Sequence, residues 1–336
     1  MSKRVTVKDV ALKAGVSYQT VSKVVNGQVH VSPETESRIW AAVKDLGYKP
    51  NHNARNLRVQ RAHMIGYSWY PEQPDRSHIL DMFLTSMLEE AEAVSYHVLP
   101  FPYHDVEEQI TGYREMIDTG QVDGFVLSSV NYRDPRIDFL LERQFPFVAF
   151  GREPERDFPY VDVDGEAGLQ MATEHLLARG HHRIAVLAGP ENSRVSDDRL
   201  NGYFKALQRA GIPIDTSLIA HHAGTFDFGR IMTEKWLDRD DGHRPTGIVA
   251  MNDTMAASAV HAGQSRGLVI GRDLAIIGFD DTPMAQYLWP PLTTIRQPIR
   301  QIGRKCIEIL VALLKGKELD ERQVILKPEL IVRTSA

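Results

Sequence analysis

The chain has 336 residues, of which 43% are hydrophobic and 25% charged, and its formal net charge is -5, which are ordinary values for a globular protein of two or three domains. Its single cysteine, Cys306, excludes an internal disulfide framework and a cysteine-rich zinc site, and its apolar helical surroundings favour a buried structural thiol. No apolar run is long enough to span a bilayer and the N-terminus has no secretory signal, so we expect a cytoplasmic protein without a membrane partner.

Charge is distributed unevenly along the chain. The first 61 residues carry 11 basic and 4 acidic side chains, so the net charge is +7 there and -12 in the remainder. A basic segment joined to an acidic body is typical of a protein that places one end on a polyanion. A solvated basic face would have the same composition, so charge alone leaves both interpretations open.

Three short helices are predicted within residues 1–48. Thr6 and Asp9 form a capping-box pattern ahead of the first helix, and Gly15 provides the positive φ with which that helix ends. Ser17 and Ser32 are the predicted N-caps of the second and third helices. Apolar residues at helical spacing are the expected core: Val7, Val10, Ala11, Ala14, Val21, Val24, Val25, Ile39, Trp40, Val43 and Leu46. A small residue on the first helix and a glycine in the turn favour a helix-turn-helix.

The second helix presents a polar side away from this core. Gln19, Ser22, Lys23 and Asn26 face outward, and Tyr18 lies at the N-terminal end. In a helix-turn-helix protein this end of the second helix enters the major groove. A glutamine amide can pair with adenine through two hydrogen bonds, and a lysine can donate to guanine. A plain packing module is the alternative, but the basic excess and the polar face together favour DNA reading.

The first 58 positions have a dense resemblance to a known family. The stretch from "VTVKDVALKAGVSYQTVSKVVNG" to "YKPNHNARNL" resembles the DNA-binding head of the lactose and galactose repressor family. The resemblance implies that Tyr18, Gln19 and Lys23 contact operator bases. It implies further DNA contacts at Thr6, Ser17, Thr20, Ser22, Asn26, His30, Asn51, Ala54 and Leu57. Some members have arginine where Lys23 stands, so the preferred base at that position stays open.

Residues 49–61 form the segment between head and body. The residues themselves are compatible with a polar, basic linker, because a helix of fewer than ten residues is marginal in water. The family resemblance implies instead a hinge helix that orders when two copies meet on DNA. It implies that Leu57 inserts into the minor groove, and such an apolar wedge would kink the duplex.

Residues 62–336 alternate apolar, β-branched runs with amphipathic stretches. Predicted strands lie at 63–70, 97–103, 122–130, 145–151, 160–164, 183–189, 246–253 and 274–281, and predicted helices at 77–96, 107–120, 165–180, 199–211 and 254–267. This alternation is typical of doubly wound parallel sheets, and the length suits two lobes. We expect an N-lobe of about 62–161 plus 293–322 and a C-lobe of about 162–292 plus 323–336.

Ligands of such sheets bind beyond the carboxyl ends of the strands. The candidates at these ends are Trp69, Tyr70, Arg152, Asp162, Asp164, Asn252, Asp253, Asp280, Asp281 and Gln297. Each alone could equally be a helix cap or another structural residue. Together, carboxylates, amides and aromatic rings between two lobes suit a polyhydroxylated ligand, which needs donors, acceptors and an apolar face.

The body resembles the sugar-sensing core of the same family, which is related to periplasmic sugar-binding proteins. The motifs "RLNGY", "MND" and "FDD" carry the resemblance, together with the closing "ILKPELIVR". They imply effector contacts from Arg199, Asn252 and Asp280, with looser matches at Phe226 and Gln297. "FGR" occurs in some family branches and implies that Arg152 points into the cleft. The chain ends without the family's tetramerising helix, so we expect a homodimer.

These observations predict a helix-turn-helix head on a two-lobed doubly wound α/β core. The predicted function is a ligand-responsive transcriptional regulator, in most cases of this kind a repressor. It would bind a palindromic double-stranded operator as a dimer under the control of a mono- or oligosaccharide.

A purine- or phosphosugar-responsive regulator stays open as an alternative, because arginines such as Arg152 and Arg199 would suit a phosphate. An enzyme is disfavoured, since no dinucleotide, P-loop or nucleophile-elbow motif is present, and neither cofactor nor metal is expected. A free solute-binding protein would need a signal peptide and no DNA-reading head.

Overall fold

The structure is a computed structural model that describes residues 5–25, 30–48, 61–69, 78–240 and 242–336. The chain divides into two compact units, Met1–Ala62 and His63–Ala336, which are called the head and the core below. No helix of the described residues is long and apolar enough to cross a bilayer.

The head consists of α1 (Val7–Ala14), α2 (Tyr18–Val25) and α3 (Pro33–Leu46). The predicted caps are present. The Asp9 carboxylate accepts a hydrogen bond of 2.8 Å from the Thr6 N–H, and the Ser17 hydroxyl accepts one of 3.1 Å from the Thr20 N–H. Gly15 ends α1 with a φ of 67°, a conformation that favours glycine. The chain therefore turns tightly from α1 into α2, as its sequence indicates.

The core of the head follows the predicted helical spacing with one exception. Val10, Val21 and Ile39 are fully buried where the three helices meet. Trp40, which was expected in the core, is 45% exposed, so that part of the prediction is wrong. The buried stripe of α3 runs through Ile39, Ala42, Val43 and Leu46, and Trp40 lies one helical step of about 100° away from it.

The second unit alternates strands with helices. Its strands are β1 (Met64–Trp69), β2 (His97–Pro102), β3 (Gly124–Leu127), β4 (Phe147–Phe150), β5 (Tyr160–Val163), β6 (Ile184–Ala188), β7 (Ile219–His221), β8 (Gly247–Ala250), β9 (Ala275–Asp280), β10 (Thr293–Arg296), β11 (Gln323–Leu326) and β12 (Glu329–Ile331). Its helices are α4 (His78–Ala93), α5 (Val106–Asp118), α6 (Pro135–Glu142), α7 (Gly165–Ala178), α8 (Arg194–Arg209), α9 (Phe226–Leu237), α10 (Asp253–Ser265), α11 (Pro283–Tyr287) and α12 (Ile299–Leu314).

These strands form two six-stranded sheets, which confirms the predicted two-lobed doubly wound architecture. The sheet of the first lobe has the order β11-β5-β4-β3-β1-β2, and that of the second lobe has the order β12-β10-β9-β8-β6-β7. Neighbouring strands run parallel except β10 and β12, which pair antiparallel. A predominantly parallel sheet is covered by helices on both faces, and its central strands are accordingly apolar and buried.

The expected limits of the lobes are wrong by one strand in two places. Residues 293–296 were assigned to the first lobe, but β10 pairs with β9 in the second sheet. Residues 323–326 were assigned to the second lobe, but β11 pairs with β5 in the first sheet. The chain therefore crosses between the lobes after β5, between β10 and α12, and between β11 and β12. The apolar pattern identifies a strand but not the sheet in which it pairs.

Two helices of the second lobe, α7 and α8, lie in unusually close contact through Gly202. A Cβ atom at Gly202 would lie 2.0 Å from the backbone oxygen of Glu166 and 2.8 Å from the backbone nitrogen of Gln170. Both distances are far below van der Waals contact, so no residue other than glycine fits at this crossing. α8 also begins at Arg194, five residues before the predicted start, because its first turn is polar and lacks the apolar spacing of a helix.

Candidate functional sites

The exposed side of α2 is the candidate DNA-reading surface. Tyr18, Gln19 and Lys23 are exposed, whereas Val21 and Val24 are buried against α1 and α3. The polar and the apolar residues therefore lie on separate faces of one short helix. The polar face is free of the packing that holds the helix in the head, as a base-reading surface requires.

The remaining predicted DNA contacts differ in what the structure shows. Thr6 and Ser17 are exposed and cap α1 and α2, Thr20 and Ser22 are half-buried, and His30 is exposed. Four further residues of the prediction lie outside the described residues, as does most of the segment 49–61: Asn26, Asn51, Ala54 and Leu57. The capping hydroxyls lie at helix N-termini, where backbone N–H groups also favour a phosphate.

A cavity of about 240 Å³, the inner cavity, opens at the carboxyl ends of the strands of the second lobe. Polar groups and apolar side chains line it together: Ile79, Gly189, Pro190, Ser193, Val195, Ser196, Arg199, Ala223, Gly224, Met251, Asn252, Met255, Asp280 and Gln297. Ile79 is contributed by α4 of the first lobe, so both lobes take part. Four predicted ligand contacts, Arg199, Asn252, Asp280 and Gln297, meet here.

Arg199 is held in place from two sides. Its Nη1 donates a hydrogen bond of 2.5 Å to the backbone oxygen of Met251, and its guanidinium carbon lies 3.8 Å from the centre of the Phe279 ring. Burial lowers the pKa of the guanidinium, and the nearby Asp280 opposes that change. A guanidinium stacked on a ring keeps a fixed plane, which suits two parallel hydrogen bonds to a ligand.

Asp280 ends β9 in an uncommon backbone conformation, with a φ of 119°. Its Oδ1 accepts a hydrogen bond of 2.7 Å from Gln297 Nε2. The pKa of this carboxyl is raised to about 7, mainly by burial and also by the negative charge of Asp253, while Arg199 and the Gln297 hydrogen bond oppose the change. Strained residues persist where the surrounding structure holds them, and they concentrate at binding sites.

Asn252 connects two loops of the cavity. Its Oδ1 caps α10 by accepting a hydrogen bond of 2.7 Å from the Met255 N–H, and its Nδ2 donates one of 2.9 Å to the backbone oxygen of Gly224. Gly224 has a φ of 83°, which a side chain would disfavour. Asn252 therefore has a structural role as well as a place at the cavity wall.

Three other predicted ligand contacts do not line the inner cavity. Trp69 is half-buried at the end of β1, and Phe226 begins α9 with its ring 6.2 Å from that of His261. Arg152 binds carboxylates from both lobes and is described below. Tyr70 lies outside the described residues.

Most of the other strand-end acids have structural partners. Asp164 caps α7 by accepting a hydrogen bond of 2.9 Å from the Ala167 N–H. Asp253 accepts bonds of 2.6 Å from the Thr294 hydroxyl and 2.7 Å from the Thr282 N–H. Asp281 forms ion pairs with arginines of β10 and the segment after β12, Arg296 and Arg333. None of these three acids is among the described residues that line the inner cavity.

Two charged residues at the start of α8, Arg194 and Asp198, did not stand out in the sequence. They bind Asp162 and Arg152, respectively, across the two lobes, at 2.8 and 2.7 Å. The sequence nevertheless contains an indication of the contact made by Arg194, because a positive charge in the first turn of a helix interacts unfavourably with the helix dipole. Such a residue indicates that a carboxylate from another element compensates its charge.

The inner cavity offers donors from Arg199 and Gln297, acceptors from Asp280 and Asn252, and an apolar wall formed by Val195 and Met255. No group of three or more His, Cys, Asp or Glu side chains that could hold a metal ion occurs among the described residues. The donor set therefore matches a small polar organic ligand.

Comparisons with known proteins agree with this geometry. A family model described as "Bacterial regulatory proteins, lacI family" matches residues 6–51, and a periplasmic binding protein-like domain matches residues 173–336. The HTH-type transcriptional regulator CelR of Thermobifida fusca is 33% identical over 99% of this chain and 98% of its own length. The chain belongs to the lacI family of bacterial regulatory proteins.

Solved structures support the assignment over the whole chain. A Lac repressor dimer bound to operator and the anti-inducer ONPF has a TM-score of 0.87 at 30% identity and covers 99% of each chain. A CelR–cellobiose complex has a TM-score of 0.76 at 29% identity and covers 99% of this chain and 100% of its own. A lacI-family regulatory protein from Chloroflexus aggregans is 56% identical, with a TM-score of 0.78, over 82% of this chain and 98% of its own.

As a lacI-family member the chain is a ligand-responsive DNA-binding transcriptional regulator and not an enzyme. The two candidate surfaces fit that assignment. The head carries a helix with an exposed polar side, and the core has a cavity lined by polar side chains at the strand ends. This confirms the predicted family, fold class and general function.

The buried carboxyl of Asp280 predicts a pH-dependent stability. Its folded-state pKa of about 7 exceeds the usual value of an aspartate, so between these values the folded chain holds a proton that the unfolded chain releases. The free energy of unfolding should therefore fall by at most about 3 kcal/mol more in the wild type than in Asp280→Asn as pH rises from 4 to 7. Urea denaturation of both proteins at several pH values measures this difference. Parallel curves would contradict the assignment.

Proposed function

We propose that two copies of the chain bind a palindromic double-stranded operator and that a sugar in the inner cavity changes the operator affinity. The observation that supports this proposal most directly is that one cavity of the core is lined by all four of these predicted ligand contacts: Arg199, Asn252, Asp280 and Gln297. Binding energy that differs between two states of the core would change operator affinity by the same factor. Such a regulator acts on DNA in the cytoplasm, and we propose repression as its mode.

The proposed division of the chain is a head of residues 1–48, a hinge of 49–61 and an effector-binding core of 62–336. In the head, Tyr18, Gln19 and Lys23 are the proposed base readers, because all three are exposed on α2, Tyr18 and Gln19 in its first turn and Lys23 one turn further along. The other predicted contacts would hold phosphates and thereby set the register, and Leu57 is the proposed minor-groove wedge. Phosphate contacts make the affinity steeply dependent on salt.

A neutral sugar fits the inner cavity better than a phosphorylated ligand or a purine. Arg199 supplies the single guanidinium of the lining that the structure describes, and it lies near the carboxyl group of Asp280, so a phosphate would bring a second anion to the same cation. The described lining contains no aromatic ring on which a purine could stack, whereas a mono- or oligosaccharide can use the aliphatic wall and the four polar groups. The bound sugar of the CelR–cellobiose complex is consistent with this choice.

Two measurements test the proposal. A thermal-shift screen should identify a neutral sugar, with cellobiose and glucose among the probes, that raises the unfolding midpoint, because a ligand of the folded state stabilises it. Selection from random double-stranded DNA should yield a palindrome whose affinity changes with that sugar. A midpoint shift only with purines or phosphorylated compounds would refute the sugar, and selection of no palindrome would refute dimeric operator binding.

An exposed aromatic patch supports the dimer. Tyr287 and Trp289 of the second lobe are 83% and 82% exposed, close to the half-exposed Met284. Adjacent aromatic side chains without cover are typical of an interface. Tyr287→Glu should therefore weaken dimerisation about thirtyfold or more, and sedimentation velocity across protein concentrations measures this. The matched control is Ile231→Glu, at another exposed apolar position of the same lobe. Equal dimer affinities for both variants would place the interface elsewhere.

A further inference from the structure

Four charged residues, which we call the interlobe crossover, connect the two lobes beside the inner cavity. Arg152 and Asp162 belong to the first lobe, and Arg194 and Asp198 lie in the first turns of α8 in the second. Arg152 Nη2 lies 2.7 Å from Asp198 Oδ1, and Arg194 Nη2 lies 2.8 Å from Asp162 Oδ2. Each lobe thus contributes one cation and one anion, and each cation binds the anion of the other lobe.

The crossover is shielded from water. Arg194 and Asp162 are buried, and Arg152 and Asp198 are half-buried. Burial raises the pKa of Asp162 in spite of its two arginine neighbours. Charge pairs removed from solvent are screened little by salt, so they can bias the arrangement of the lobes under cellular conditions.

The helix that carries the crossover also carries the principal ligand candidate. Asp198 is the direct neighbour of Arg199, and Val195 and Ser196 of the same turns line the inner cavity. Gly165, the first residue of α7, packs so closely here that an added Cβ would lie 3.1 Å from both Asp198 Oδ2 and Arg199 Cγ. Asp198 and Arg199 therefore both lie against the same residue of α7.

The same four residues have a second way to pair. Within the first lobe, Arg152 Nη1 already lies 3.0 Å from Asp162 Oδ2. Arg194 and Asp198 are four residues apart on α8, the spacing at which side chains of one helix meet. In the crossed arrangement the buried Nε of Arg194 has no hydrogen-bond partner among the described residues. If the lobes separate, each lobe can neutralise its own charges, so neither arrangement leaves a buried charge unpaired.

We propose that the interlobe crossover is a two-state lock that sets the closure of the core, with Arg152 as a positioning residue for α8 and not as a ligand contact. Closed lobes pair crosswise and separated lobes pair within themselves, so the two states differ little in electrostatic energy. A ligand bound to Arg199 displaces or holds Asp198 and thereby selects one pairing. Two further hydrogen bonds join the lobes in the crosswise arrangement. Asn131 Oδ1 accepts one from the Arg194 N–H at 3.0 Å, and the Tyr132 hydroxyl donates one to Asp197 at 3.0 Å.

The proposal rests on ligand regulation of the core, but its test needs neither ligand nor DNA. Spin labels are placed on exposed positions of the two lobes by Leu141→Cys and Ile231→Cys, and electron–electron resonance measures the distance between them. The native Cys306 is fully buried and stays unlabelled. Arg152→Met should reduce the ratio of closed to open molecules about tenfold, because Arg152 pairs with both Asp162 and Asp198 when the lobes are closed but with Asp162 alone when they separate. Asp198→Asn loses one pair in each state, so it should change the ratio less.

Rescue distinguishes a lock from general damage. Arg152→Glu combined with Asp198→Arg keeps one cation–anion pair between the lobes but brings like charges together within each lobe, so it should raise the closed fraction above that of Arg152→Met and above that of the wild type. Arg143→Met is the matched control, because Arg143 pairs with Asp118 at 3.0 Å within the first lobe on an exposed surface. Unchanged distances in Arg152→Met, or no gain of closed molecules in the charge-swapped protein, would overturn the proposal. A protein that passes this test but shows no ligand response would refute only the proposed function.

Discussion

Arg199→Ala is expected to abolish the response of operator binding to the effector and to leave the operator affinity of the ligand-free protein unchanged within about twofold. The variant removes the only guanidinium among the described residues of the inner cavity lining, so the effector loses charge-assisted hydrogen bonds. Two such bonds correspond to a loss of effector affinity of about 100-fold or more. Titration of the effector by calorimetry, and of operator by fluorescence anisotropy with and without effector, measures both quantities.

A matched control exists on the same helix. Arg209 lies on α8 in an exposed ion pair of 3.2 Å with Glu174, away from the cavity. Arg209→Ala should keep the effector response of the wild type, because exposed ion pairs contribute little. A normal response in Arg199→Ala would move the effector site elsewhere, and a lost response in both variants would indicate damage to α8 itself.

Gln19→Ala is expected to relax base recognition in the operator. The exposed amide of Gln19 can read one base pair through two hydrogen bonds, which corresponds to about 1–3 kcal/mol on the preferred sequence. On sequences already altered at that base pair the variant should bind as well as the wild type. Anisotropy titrations over a panel of singly substituted operators measure this pattern at fixed salt.

The control for Gln19 lies on another helix of the head. Lys44 is exposed near the end of α3, so Lys44→Ala changes the charge of the head without touching α2. We expect that variant to bind every operator of the panel in the same order of preference as the wild type. If Gln19→Ala weakened all sequences equally, Gln19 would contact phosphate and not a base.

The inner cavity could be predicted because the topology of the core brings its residues together. Asn252 and Gln297 follow parallel strands and Asp280 ends one, and the carboxyl ends of neighbouring parallel strands lie at one edge of a sheet. Arg199 came from the family resemblance, since a helix residue is not placed by that rule. The positions of Trp69 and Phe226 depend on how the loops fold, which strand patterns do not specify.

The interlobe crossover could not be predicted in the same way. Arg152 was assigned to the ligand because it follows a strand, and its real partners lie on α8 of the other lobe. Such a contact depends on how two sheets face each other, and local sequence patterns do not contain that information.

The error at Trp40 has a different cause. Apolar spacing along a helix locates the buried face only to within one residue, so a residue at its border can be exposed.

Gly202 limits the kind of motion that the core can make. Because the backbones of α7 and α8 meet at this residue with no room for a Cβ, α8 cannot slide along α7 without a clash. Shear between packed helices is therefore blocked within the second lobe, and any movement of α8 carries the whole lobe with it. Closure must then occur by rotation about the three interlobe crossings. A displacement at Arg199 therefore moves the second lobe as a rigid body relative to the first, without bending of α8.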